Sequence, residues 1–290
     1  MKVDIICPLY NAQNYIVDLH FSLLKQKNVE INKIRYVLTE SSDDTEKKLK
    51  ENGVDYTKIK TEEFSHSLTR EKEAFKSESD ILVFITQDVI INDECWLENL
   101  INPIICGECV ASFSRQISKS KGIEKYTREK NYPKDSYVNS KEDIPQKGLK
   151  TFFFSDAASA IKTSVFKELG GYDGKKLPTN EDMYIAYKII QKGYKIKYCA
   201  DSVVVHSHNF TLKEMYKRYY LIGVFMGGNS YLDEYGTSKA GGGLAKYVLK
   251  RSLKEFNVKA LIRFFPDMIA RYLGMKRGKS YASKKCNNCK

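Results

Sequence analysis

The stretch DILVFITQDVII, Asp80 to Ile91, decides the fold. Ile81 to Thr86 form an unbroken apolar or β-branched run, which reads as a strand buried on both faces, as in a parallel sheet. The run stops at a single carboxylate, Asp88, ahead of Ile90 and Ile91. Working outward, VDIICP reads as a first strand, followed by a helix over about 12–26 capped by Asn11. KIRYVL reads as a second strand ending in the polar turn TESSDDTE, and helices follow over about 46–52 and 68–77. Strands alternating with helices predict an α/β fold whose mostly parallel sheet binds ligands at the carboxyl ends of its strands. Three polar strand exits then share one edge: Pro8 to Asn11, Glu40 to Asp44, and Gln87 with Asp88.

Beyond the apolar strand, residues 114–148 are polar and weakly periodic, a long loop with helical pieces. LKTFFFSDAASAIKTSVFKELGG predicts a strand, a short helix and a Gly-Gly stop. Asn180 opens a further helix that ends at Gly193 and leads into two strands. After Tyr235, GTSKAGGG reads as a flexible hinge before two basic helical segments. The boundary falls near 236, with 1–235 as the main domain (halves of about 1–115 and 116–235) and 236–290 as a basic helical extension.

Charge supports that boundary. The net charge is +12, yet residues 240–290 hold thirteen Lys or Arg against two acids, so the first 239 residues carry about +1. A basic helical tail with Phe264, Phe265, Tyr272 and Leu273 can lie on an anionic membrane surface. No recognised nucleic-acid module accompanies it, so nucleic acid is not an expected partner. The seven cysteines are odd in number and scattered, which predicts reduced thiols. No apolar run reaches the roughly 18 residues that span a bilayer. The expected location is the cytoplasm, peripheral on the inner face of the cell membrane.

Four features carry chemistry. Asp88 is either a turn former or a ligand for a hard divalent cation, one carboxylate being enough when a substrate diphosphate supplies further oxygens. Glu181 and Asp182 are either favourable charge at a helix N-terminus or a general base. His206 and His208 share a face of one strand end and serve either a structural hydrogen-bonding role or as metal ligands. Arg70, near a helix start, offers donors for a phosphate.

DIICPLYNAQNYI, SSDDT, FSHSLTRE, LVFITQDVIINDECWLENL, FFFSDAASAIKTSVFKELGGYD, NEDMYIAYKIIQKGYKIKY and VVVHSHNFTLKEMYKRYYLIG, in that order over about residues 3–225, resemble a family 2 glycosyltransferase, in particular its bacterial rhamnosyltransferase-like branch. The resemblance implies a GT-A-type, Rossmann-like α/β sandwich and a metal-dependent, inverting transfer from a nucleotide-sugar with Mg²⁺ or Mn²⁺. It implies nucleotide-sugar contacts at Pro8, Tyr10, Asn11, Glu40, Asp43, Arg70, Thr86 and Gln87. It implies metal at Asp88 and His206, and catalysis at Asp182 with Glu181. Thr86 stands where the first acid of D-x-D is usual, in the T-Q-D form of that branch. Leu38 stands where many members end the second strand in an acid, so Glu40 or Asp43 must substitute. The implied donor is dTDP-β-L-rhamnose and the acceptor a lipid-linked or cell-surface polysaccharide. A UDP-hexose donor, or a catalytically silent nucleotide-sugar-binding subunit, are the alternatives.

Overall fold

The computed structural model describes residues 1–287, with the side chains of 237–241, 286 and 287 left aside. The strands are β1 (Lys2–Leu9), β2 (Glu30–Thr39), β3 (Tyr56–Ile59), β4 (Ile81–Ile85), β5 (Ala111–Ile117), β6 (Tyr137–Asn139), β7 (Ala158–Lys162) and β8 (Ile196–Val205). The helices are α1 (Ile16–Leu24), α2 (Thr45–Glu51), α3 (His66–Phe75), α4 (Trp96–Ile105), α5 (Ile123–Asn131), α6 (Ile144–Lys147) and α7 (Thr163–Glu168). They continue with α8 (Glu181–Gln191), α9 (Leu212–Gly228), α10 (Thr237–Lys254) and α11 (Val258–Asn287).

One sheet runs β3-β2-β1-β4-β7-β5-β8-β6. β1 pairs in parallel with β2 and β4, whereas β7 runs antiparallel between β4 and β5. The α/β architecture with a mixed, mostly parallel sheet is therefore as expected. The opening strand explains its own burial. Ile81, Val83 and Ile85 enter the apolar layer that includes Leu19, Leu23, Leu97 and Leu100 from α1 and α4. Leu82 and Phe84 enter the opposite layer with Phe166, Ile185 and Ile189 from α7 and α8. An alternating pleat with apolar partners on both sides has no place for a polar residue until the strand ends.

Several local expectations differ. α1 begins at Ile16 with Tyr15 as its cap, because Asn11 takes a left-handed conformation (φ 48°) and its Oδ1 accepts the Ser42 amide at 2.9 Å. The helix-to-end segment after Gly193 is one bulged strand, β8, not two. The glycine-rich stretch read as a hinge lies in α10.

The C-terminal helices pack tightly on the rest. α11 lies along α9 with Gly223 and Gly227 on one side and Gly274, Gly278 and Ala282 on the other. A Cβ at Gly278 would sit 2.1 Å from the Tyr220 carbonyl oxygen, and one at Gly223 2.3 Å from that of Met275. Small residues four apart on both helices thus bring the two backbones into contact. Phe264, expected on the surface, is buried against Tyr126 of α5 and Val248 of α10. Phe265, Tyr272 and Leu273 are exposed.

Candidate active site

The exits of β1, β4 and β8 open into a cavity of about 820 Å³. Pro8, Tyr10, Arg70, Thr86, Gln87, Asp88, Glu181, Asp182 and His206 line it, together with His208, Asp156 and Arg218. Asn11, Glu40 and Asp43 do not. Asp43 instead braces the loop after β1, accepting from the Gln13 amide at 3.1 Å and from the Thr45 hydroxyl at 2.5 Å. Glu40 is exposed. Gln87 clamps the first exit to the second, because its side-chain amide both accepts from and donates to the Tyr10 backbone at 2.7 Å.

Asp88 meets the histidines through the apolar residues that follow it. Ile90 exchanges two backbone hydrogen bonds of 2.9 Å with Val205, the last residue of β8, so the turn holding Asp88 lies against the segment that begins at His206. Asp88 Oδ2 is 3.4 Å from His206 Nε2 and 3.6 Å from His208 Nδ1. Burial pushes the Asp88 carboxyl up, but the two imidazoles outweigh it and hold it below the usual carboxylate range.

The tautomer of His206 follows from its neighbours. Gln116, at the end of β5, receives on Oε1 a hydrogen bond from Arg128, which has only donors to offer. The same oxygen lies 2.8 Å from His206 Nδ1, so that nitrogen carries a proton and Nε2 is the nitrogen turned toward Asp88. With Nε2 unprotonated, that nitrogen and the Asp88 carboxylate are two donors suited to one shared cation. His208 completes a donor set whose atoms all lie within 4.8 Å of one another, and one carboxylate with two imidazoles suits a divalent ion such as Mn²⁺. The residues therefore fit a metal. Gln116→Ala is expected to weaken Mn²⁺ binding by about ten- to a hundredfold, as loss of a ligand-orienting partner does elsewhere, and a titration of free Mn²⁺ checks it.

Across the cavity, Asn180 (φ 59°) turns the chain into α8. Glu181 is committed to the buried Arg70, 3.0 Å away, so those two expected site residues neutralise each other. Asp182 is left for chemistry, with one oxygen accepting the Met183 amide at 2.7 Å. Burial, then the charges of Glu181 and Asp156, raise its pKa well above the ordinary value. Asp156 is itself pushed up to about 6 by burial, while Ser159 and Tyr172 donate to its two oxygens at 2.7 and 2.8 Å. A carboxyl tuned upward in this way is suited to take a proton from a hydroxyl near neutral pH. Sequence reading missed Gln116, Arg128 and Asp156, whose roles depend on contacts between distant segments.

Comparisons with known proteins bear on the family and the fold. The profile described as Glycosyl transferase family 2 matches residues 4–170. The O-antigen chain rhamnosyltransferase RfbN of Salmonella typhimurium (strain LT2) is 32% identical, over 100% of this chain and 93% of that protein. The O-antigen chain rhamnosyltransferase WbaN of Salmonella anatum is also 32% identical, over 99% and 92%. Among solved structures, the mannosyltransferase PcManGT of Pyrobaculum calidifontis, in complex with GDP-Man and Mn²⁺, shares the fold with a TM-score of 0.62 at 13% identity, covering 97% of this chain and 86% of that one.

Proposed function

The chain belongs to glycosyl transferase family 2, and from that premise we propose that it transfers L-rhamnose, with inversion, from dTDP-β-L-rhamnose to a hydroxyl of a lipid-linked polysaccharide acceptor. The observation that carries this reading is one cavity lined by both the Asp88, His206 and His208 cluster and the raised carboxyl of Asp182. Rhamnose as the sugar and a polysaccharide chain as the acceptor are supported by the two Salmonella O-antigen chain rhamnosyltransferases, which match along nearly the whole chain.

In this mechanism Asp182 accepts the proton of the acceptor hydroxyl as its oxygen bonds to the anomeric carbon. The bond from that carbon to the diphosphate breaks on the opposite face, the electron pair leaves with the diphosphate, and a β-L donor becomes an α-L-rhamnoside. Asp88, His206 and His208 would hold Mg²⁺ or Mn²⁺, which supplies positive charge to the departing diphosphate. Pro8, Tyr10 and Gln87 shape the nucleotide end, and the Gln87 clamp on Tyr10 sets that shape before ligand arrives. A panel of nucleotide-sugars with Mn²⁺, read as a rise in melting temperature, tests the donor. Stabilisation by dTDP-rhamnose supports the reading. Stabilisation by a UDP-hexose alone replaces the donor, and binding without any metal-dependent turnover leaves only a silent binding subunit.

The acceptor's lipid points to the membrane. Among the described residues no helix is long and apolar enough to cross a bilayer. α11 instead carries an outward stripe of Val258, Ile262, Phe265, Ile269 and Tyr272, each more than half exposed and spaced by three or four residues. Exposed Lys254, Lys259 and Lys276 flank it. An apolar stripe edged with cations matches an anionic bilayer surface, on which a helix lies in the interface plane. Replacing Ile262, Phe265 and Ile269 together by Ser is expected to reduce flotation with anionic vesicles at least tenfold, with the melting temperature unchanged. Undiminished flotation would remove the stripe from the binding surface.

A further inference from the structure

Four guanidinium groups line the cavity, those of Arg70, Arg128, Arg218 and Arg271. Three already have protein acceptors. Arg70 pairs with Glu181 and Arg128 with Glu124 and Gln116, while Arg271 pairs with Asp267 and donates to Tyr219 at 2.6 Å. Arg218, on the second turn of α9, has no hydrogen-bond or ion-pair partner among the described residues, and no lysine lines the cavity. It is nonetheless held in place. Its guanidinium lies 5.4 Å from the ring centre of Phe210, and the same ring stacks on His208 at 4.8 Å and 29°. Cation–π contact fixes the group's position while leaving its in-plane N–H donors unused.

That stack places a free, forked cation next to the Asp88, His206 and His208 cluster. A guanidinium with no carboxylate, beside a seat for a divalent ion, suits an anion with several oxygens in reach of both.

We propose that Arg218 is a catalytic residue that binds the diphosphate of the nucleotide-sugar donor and takes up charge as that diphosphate leaves. The inference rests on the proposed nucleotide-sugar reading of the cavity. As the bond between the anomeric carbon and the diphosphate oxygen breaks, the electron pair stays on that oxygen. Arg218 then strengthens its hydrogen bonds to an acceptor whose negative charge is growing, with no proton transferred. Phe210 acts as the positioning residue that holds the guanidinium at the cavity mouth.

The test is a calorimetric titration of dTDP and of UDP in the presence of Mn²⁺, against the full-length protein and its Arg218→Ala and Arg218→Lys variants. Hydrogen bonds to charged groups of this kind predict a roughly ten- to hundredfold loss of diphosphate affinity in Arg218→Ala and partial recovery in Arg218→Lys. The corresponding monophosphates should lose less affinity than the diphosphates do. Arg218 is exposed, so the metal-free variants should melt with the wild type, which separates lost binding from lost fold. Equal diphosphate affinity in wild type and Arg218→Ala overturns this inference alone. A wild type that binds neither diphosphate overturns it together with the nucleotide-sugar reading.

Discussion

Asp182→Asn is expected to slow sugar transfer about a thousandfold while leaving nucleotide affinity within a few-fold of wild type. The substitution keeps the shape of the side chain and the hydrogen bond from the Met183 amide, but removes the basic oxygen. Because that oxygen acts on the acceptor proton, the loss should fall on turnover rather than on donor binding. The pH profile offers an independent check. Burial and the charges of Glu181 and Asp156 raise the Asp182 pKa, so kcat/KM should fall as pH drops through a value above the usual carboxylate range. Below that point the base is protonated, and the residual rate of the Asn variant should show no such limb. Glu181, one residue earlier, gives no substitute, because its carboxylate is held by Arg70. Wild-type transfer by Asp182→Asn would remove Asp182 from the base position.

The second large effect is expected far from the chemistry. Gly278→Val should lower the melting temperature by roughly 5–10 °C, the size of an overpacking cost near 3 kcal/mol. Even the first carbon of the new side chain would lie 2.1 Å from the Tyr220 carbonyl oxygen and 2.9 Å from Gly223 Cα, and both obstacles are backbone. No rotamer relieves that overlap, so α11 must move away from α9. The same movement reaches the cavity, because α11 supplies Arg271 to its wall. Donor turnover measured at a temperature where the variant is still folded should therefore fall as well. Gly228→Ala is the control, since a Cβ there meets nothing within 4 Å and alanine favours a helix. A Gly278→Val protein as stable as wild type would show that the two helices are not in contact.

β1, β2 and β4 were legible because their runs are largely apolar, and Asp88 because it is the first charged residue after such a run, whereas β3, β6 and the end of β5 carry too many polar residues to be read as strands. The carboxylate at the start of α8 was legible for a similar local reason, a helix opening that follows a loop. What stayed hidden depends on contacts between segments far apart in the chain. Arg70 reads as a free donor until its ion pair with Glu181, 111 residues away, is seen. Gln116 is an unremarked strand residue until Arg128 and His206 are found sharing its one oxygen. The glycines of α9 and α11 gave no signal of their own, since one sequence cannot show that they face each other. Asn11 looked like a helix cap because its residue type suits one, but the loop after β2 offered its side chain a closer partner.

One consequence follows from neighbours in α11. Arg271 lines the cavity, whereas Tyr272 is 63% exposed on the outward stripe. With the stripe resting on a bilayer, only the thickness of one helix, about 10 Å, separates the lipid surface from the cavity wall that Arg271 forms. The enzyme would then act as a ruler. It would reach a hydroxyl on the first sugars above the lipid and leave the far end of a long polymer to others, so that product length is set by geometry before any sugar is recognised.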